Sequence, residues 1–269
     1  MYLLSDEETI DALERARLRG VVVRVLLEED PFGGAGTQDE VFARLHAAGI
    51  MVRWNNPTFR FSHIKAMIVD DRALLIMNQN LTNSSFTGNR EFGVLTTRPS
   101  DVAHAAAIFE ADWNRTAEPA GGPLIVSPTT SRQTLLDLIT TAQRSIDIYA
   151  EVMRDRAVVE ALKAAAGRGV RVRLIMSGSL DGSDDNGVER AELRAAGVET
   201  RLARGGLYIH AKMVLSDEAR AFVGSQNFTA TSLDQNRELG ILLTDRPSLS
   251  RLARTFDEDF AGGQAEDVP

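Results

Sequence analysis

Cysteine is absent from this 269-residue chain, which excludes disulfides, thiolate metal sites and cysteine nucleophiles together. Histidine is scarce, at four residues, and none stands at the spacing to carboxylates that a metal centre uses, so no metal and no cofactor are expected. No apolar run approaches the roughly 18 residues of a membrane span, and no secretory apolar segment opens the chain. Positive charge is in deficit, with 30 Lys and Arg against 38 Asp and Glu and a net charge of -8. The average surface therefore does not attract nucleic acid or anionic lipid, although a local basic groove is compatible with it. A phosphate-cradling loop is also lacking: FGGAG (32–36) has no following Lys-Ser/Thr and reads as a loop near a pocket mouth. The compartment stays open.

What is present is a sequence written twice. HIKAMIVDDRALLIMNQN (63–80) faces HAKMVLSDEARAFVGSQN (210–227), with His63 and His210 standing 147 positions apart, as do Asn80 and Asn227. The match continues from NREFGVL (89–95) to NRELGIL (236–242), setting Glu91 opposite Glu238, and upstream from RGVVVRVLL (19–27) to RGVRVRLIM (168–176). Each half shows a helix pattern ending at glycine (7–18, 156–166), then a Val-rich strand (21–27, 170–176). A second helix follows (38–47, 187–196), then two strands about a tight turn, a further strand and a Pro-started helix. This alternation predicts an α/β fold of two pseudo-twofold-related repeats, each a mixed, mostly parallel sheet flanked by helices. Domain limits follow, with the Pro/Gly-rich EPAGGP (118–123) as the junction: a first half at 1–118, a linker at 119–131, and a second half at 132–269. The second half opens with a helix and strand (134–152), whereas the first opens at MYLLSD, matching only the end of that strand. A form trimmed from a longer protein is expected, whose lost segment could have carried an export signal.

His63 and Lys65 stand at i and i+2 of a strand and point to one face; Asn78 and Asn80 share that relation on the next. The second half repeats the set as His210, Lys212, Ser225 and Asn227. Facing each other across a pseudo-twofold axis, the two sets make one pocket suited to a phosphodiester. Ammonium groups neutralise the non-bridging oxygens, amides and hydroxyls add directional donors, and one imidazole attacks phosphorus while the other protonates the leaving oxygen. Glu91 and Glu238 are candidates for orienting the imidazoles, by the logic of a catalytic triad. Asp70 and Asp217 sit at the turns, where Asp is structurally favoured, and take a supporting role. His46 and His104 lie in helical patterns without a duplicated histidine and read as surface or packing residues. Trp54, Phe59, Phe61 and Tyr208 flank the histidine strands as core or as the lining of a lipid or base site.

The twice-present pattern His-x-Lys-(x)4-Asp-(x)6-Gly-Ser-x-Asn resembles the phospholipase D superfamily and its paired HKD motifs. The second half carries all of it, through Gly224, Ser225 and Asn227; the first has Met77 and Asn78 where the family has Gly and Ser. The resemblance implies metal-independent cleavage or transfer at a phosphodiester through a phosphohistidine, with His63 as nucleophile and His210 as acid, although pseudo-symmetry leaves the roles interchangeable. A phospholipid headgroup is the favoured substrate and a DNA or RNA nuclease the alternative. A phosphate-binding module impaired at Met77 and Asn78 is a third reading. Both half-sites lie in one chain, so a monomer suffices and no protein partner is required.

Overall fold

The computed structural model describes residues 1–32, 36–118, 120–178, 184 and 186–266. Residues 33–35 of the FGGAG loop therefore lie outside the described residues, as does Pro119 of the expected linker.

Both halves start their first helix in the same way. Asp6 caps Glu7–Leu18 by accepting from the Thr9 N–H at 2.9 Å, and Asp155 caps Arg156–Gly167 by accepting from Val158 at 3.1 Å. Gly20 (φ 90°) and Gly169 (φ 86°) close these helices in the left-handed conformation that a Cβ disfavours. Parallel strands follow: Arg24–Leu27 pairs with Met51–Trp54 in the first half, and Arg171–Met176 pairs with Glu199–Leu202 in the second.

The α/β class and the doubled plan stand, but the mostly parallel pairing does not. The second half builds an eight-stranded sheet in the order Gln264–Ala265, Glu199–Leu202, Arg171–Met176, Ser145–Tyr149, Met213–Ser216, Arg220–Gly224, Glu238–Leu243, Ile125–Ser127. Five of its seven pairings are antiparallel. The reason lies in the turns. Asp70 and Asp71 (φ 53° and 52°) and Asp217 and Glu218 (φ 56° and 53°) take the paired positive φ of a tight hairpin turn, which joins antiparallel strands. Parallel pairing survives where a helix makes the crossover. In the first half Ala66–Val69, Ala73–Met77 and Gly93–Thr96 form a separate antiparallel three-stranded sheet. Ile125–Ser127, inside the segment expected as a linker, is an edge strand paired with Glu238–Gly240.

Three apolar cores organise the described residues. One lies between the large sheet and helices Ser131–Thr140 and Arg156–Gly167, and another under Glu7–Leu18 and Thr37–Ala47. The third joins the halves: Leu74 and Ile76 from the first pack with Met213, Leu215 and Val223 from the second. Helices Pro99–Asn114 and Arg246–Gly262 add Ile108 and Phe256 to it. Each hairpin thus presents one face to this shared core and its ends to the seam between halves.

Candidate active site at the seam

The strand ends and turns deliver the duplicated side chains to this seam. Just before each histidine, the backbone crosses to the other half. The His63 N–H donates to the Arg237 carbonyl at 2.8 Å, and Tyr208–Ile209 pairs in parallel with Asn89–Arg90. Each crossing is clamped by an arginine from one half and an aspartate from the other. Arg90 Nη2 donates to Asp259 Oδ1 at 2.9 Å, and the fully buried Arg237 donates through Nε to Asp112 at 2.9 Å and also binds Glu118. These pairs obey the same 147-residue offset as the histidines. Neither is singled out by the sequence reading, although the doublets NRE/NRE and FEADW/FDEDF carry the signal.

The glutamates are exchanged between halves too. His63 Nδ1 lies 2.8 Å from Glu238 Oε2 and 3.1 Å from the Ser225 carbonyl. Both neighbours can only accept, so Nδ1 carries the proton and Nε2 is left with its lone pair. Glu238 is held in turn by Ser232 Oγ at 2.6 Å and Asn236 Nδ2 at 3.0 Å, both donating to Oε1. On the other side His210 Nδ1 lies 2.7 Å from Glu91 Oε1, off the alignment of a good hydrogen bond.

The lysines differ more sharply. Both are buried and both donate to the carbonyl of their own histidine, Lys65 at 2.8 Å and Lys212 at 2.6 Å. Lys212 also meets a carboxylate absent from the sequence reading: its Nζ is 2.5 Å from Glu151 Oε2. That same oxygen is 3.7 Å from His210 Nε2, while Tyr208 donates to Glu151 Oε1 at 3.0 Å. Lys65 has an aromatic ring instead, with its Nζ 4.6 Å from the centroid of Tyr2, which also packs edge-on to His63 at 4.5 Å. Asn80 and Asn227 follow the hairpins, each with a side-chain oxygen buried and unpaired within the protein.

Asn78 and Ser225 share one structural task. Ser225 Oγ accepts the Leu239 N–H at 3.1 Å, and Asn78 Oδ1 accepts the matching Phe92 N–H at 2.9 Å. The longer amide reaches further, donating to the carbonyls of Lys212, at 3.2 Å, and Gly224. Asn78 is fully buried, and the contacts it makes are with backbone. Gly224 is dictated by crowding, not by φ: a Cβ there would lie 2.6 Å from Gly240 Cα and 2.8 Å from the Phe222 ring. The first half has Leu75 in place of that phenylalanine, which makes room for Met77. Asn78→Ser should keep the Phe92 contact and lose the reach across the seam. We expect about 1–2 kcal/mol lower stability in urea unfolding with less than a tenfold drop in turnover; unchanged stability would remove Asn78 from the seam.

The two aspartates of the motifs lie at the turns. Asp217 accepts the backbone N–H groups of Gln143, Arg144 and Ser145, the last at 3.0 Å, and so anchors the start of Ser145–Tyr149; these bonds outweigh its burial and lower its pKa. Asp70 is exposed. Among the flanking aromatics Tyr208 reaches the site; Trp54 stacks on Phe42 at 4.2 Å, Phe61 meets Tyr2 at 6.0 Å, and Phe59 lies beneath Arg237. His46 is exposed, and His104 Nδ1 accepts the Leu124 N–H at 3.3 Å. No group of His, Asp and Glu able to hold a metal occurs among the described residues.

Burial lowers the His63 pKa to about 4, with Lys65 and Lys212 acting in the same direction against Glu238. Burial likewise drives Lys65 well below its ordinary value. Burial opposes ionisation of Glu238 and Glu151, but His63 and Lys65 around the first, and Lys212 and His210 around the second, outweigh it and hold both carboxylates ionised. A stability consequence follows with a definite sign. An unfolded histidine takes up a proton near pH 6.5, whereas folded His63 refuses it until about pH 4. Its contribution is complete above pH 6.5 and is lost as pH falls through that window, by roughly 2–3 kcal/mol. Urea midpoints of wild type should therefore fall from pH 7 to pH 4.5 more steeply than those of His63→Asn. Equal slopes would contradict the assignment.

The family model for "Cardiolipin synthase, PLD-like domain" matches residues 1–113 and 135–260. The chain belongs to this family, within the phospholipase D superfamily. Cardiolipin synthase B of Shigella flexneri is 26% identical over 283 residues, covering 87% of this chain and 66% of its own length. Cardiolipin synthase of Geobacillus kaustophilus is 27% identical over 290 residues, covering 92% of this chain and 57% of its own. This chain thus spans less than two thirds of either relative. Phosphatidylserine synthase of Haemophilus influenzae shares the fold, with a TM-score of 0.76 over 98% of this chain and 81% of that one at 14% identity. No helix among the described residues is long and apolar enough to cross a membrane.

Proposed function

We propose that the two halves, residues 1–118 and 132–269, act as one catalytic unit that transfers or hydrolyses the phosphatidyl group of a phospholipid through a covalent phosphohistidine without a metal. The observation that carries this reading is the crossed pairing of His63 with Glu238 and of His210 with Glu91, beside two buried lysines. His63 is neutral at pH 7, and Glu238 fixes the tautomer whose Nε2 can attack phosphorus. Lys65 and Lys212 stabilise the charge that grows on the non-bridging oxygens. His210 Nε2 protonates the departing alcohol and then takes the proton of the incoming water or alcohol. Phospholipid is favoured because the relatives of similar sequence are cardiolipin synthases.

A parallel assay of phosphatidylglycerol, phosphatidylcholine, single-stranded DNA and bis-p-nitrophenyl phosphate, each with EDTA, tests the reading. Turnover of a phospholipid that survives chelation is the expected result. Cleavage of DNA alone would move the chain to the nucleases, and binding without turnover would make it a phosphate-binding module.

A further inference from the structure

Glu151 stands where an anion would bind. Its Oε2 bridges Lys212 Nζ at 2.5 Å and His210 Nε2 at 3.7 Å, the two groups that would face a substrate phosphoryl oxygen on this side. The carboxylate is not free to swing away at no cost. Tyr208 donates to its other oxygen at 3.0 Å, and Asn186 Nδ2 holds its backbone carbonyl at 3.1 Å.

The first half has no such group. Met153 bridges to Phe228 as Leu4 bridges to Leu81, and two residues before each stand Glu151 and Tyr2. The uncharged Tyr2 covers Lys65 with its ring and donates nothing to it, its own hydroxyl accepting the Phe32 N–H at 2.6 Å. One lysine is therefore unpaired with any carboxylate within the described residues, and the other is neutralised.

We propose that Glu151 is a specificity-determining residue that lets the site accept a phosphodiester monoanion and turns away phosphomonoester and inorganic phosphate dianions. The inference rests on the phosphodiester reading above. Glu91, Glu238 and Glu151 are set against two lysine side chains, Lys65 and Lys212, and an anion bound beside Lys65 favours its ammonium form. A diester brings one negative charge, which Lys65 can receive while its neutral alkoxy substituents tolerate the carboxylate. A dianion needs both lysines and meets Glu151 at the second. Repulsion from a fixed charge grows in proportion to the ligand's charge, so removing Glu151 helps a dianion about twice as much, on a logarithmic scale, as a monoanion. Hydrolysis converts a diester to a monoester, so the same residue drives product out.

Direct titration of inorganic phosphate and of dimethyl phosphate at pH 8.5 reads this without requiring turnover. In Glu151→Gln the phosphate Kd should fall about 30-fold, while the dimethyl phosphate Kd falls about five- to sixfold. Glu151→Asp should retain the wild-type ratio of the two. Glu151→Tyr, which copies the first half, should behave like the glutamine variant and serves if that variant fails to fold. Equal factors for both ligands, or no change in either, would overturn the proposal. Absence of diester turnover in wild type would instead overturn the proposed function and leave this binding ratio readable.

Discussion

His63→Ala and His210→Ala should each lower turnover of a phospholipid by about 10³-fold or more, because in the proposed mechanism each removes a group that makes or breaks a bond to the reacting oxygen or phosphorus. The two losses should nevertheless differ in kind. With bis-p-nitrophenyl phosphate the leaving p-nitrophenolate departs without a proton from the protein. His210→Ala can then complete the first step: the His63 Nε2 lone pair forms the N–P bond, the P–O bond breaks, and one p-nitrophenolate is released. The second step, in which water must lose a proton to attack the phosphohistidine, lacks its base. A burst of one p-nitrophenolate per chain followed by near silence is expected for His210→Ala, and no burst for His63→Ala. The asymmetry of the site motivates this assignment. His63 is pressed by burial and by two cations towards the neutral form, while His210 Nε2 faces Glu151. The reverse pattern, a burst from His63→Ala, would exchange the roles; appreciable steady turnover by either variant would dissolve the shared site.

How much of this was legible in the sequence depended on whether a residue was repeated. Helix Glu7–Leu18 agrees with the pattern at both ends, since the Asp6 cap and Gly20 stop are local signals. His63, Lys65, His210 and Lys212 stood out because identical spacing recurs. Sheet direction did not, because a strand that is apolar on both faces looks alike whichever way its neighbour runs; the decisive information was in the Asp-Asp and Asp-Glu hairpin turns. The crossing of Glu91 to His210 and of Glu238 to His63 was beyond a pairing argument too, since sequence order suggests that each half serves itself. Glu151 and Tyr2 escaped for the opposite reason to the histidines. They occupy matching places with unlike side chains, and a search for repetition passes over the positions where the halves diverge. Those positions are where a symmetric scaffold acquires unequal chemistry.

Replacing Glu238 tests that cross-half dependence most severely. The carboxylate is fully buried, binds His63 Nδ1, and accepts Ser232 and Asn236 on its other oxygen. In Glu238→Gln the amide oxygen and nitrogen must be divided between these neighbours. Ser232 and Asn236 both offer hydrogens, so the amide oxygen turns towards them and its NH₂ is left against His63 Nδ1. An NH₂ group cannot accept, so the Nδ1 proton keeps only the Ser225 carbonyl as acceptor, and the tautomer with hydrogen on Nε2, the nitrogen proposed to attack phosphorus, gains weight. Nucleophilic activity should then fall about 10²–10⁴-fold in kcat with a much smaller change in KM, while the chain still folds with its hydrogen bonds filled. Glu91→Gln should cost less in the burst step and more in the second, because Glu91 serves His210. Glu238→Asp, which keeps the charge but shortens the reach, should recover part of the lost rate. The ¹⁵N shifts of the His63 ring report the tautomer directly. A Glu238→Gln protein whose Nε2 remains unprotonated and whose kcat is near wild type would show that the carboxylate of one half does not govern the imidazole of the other.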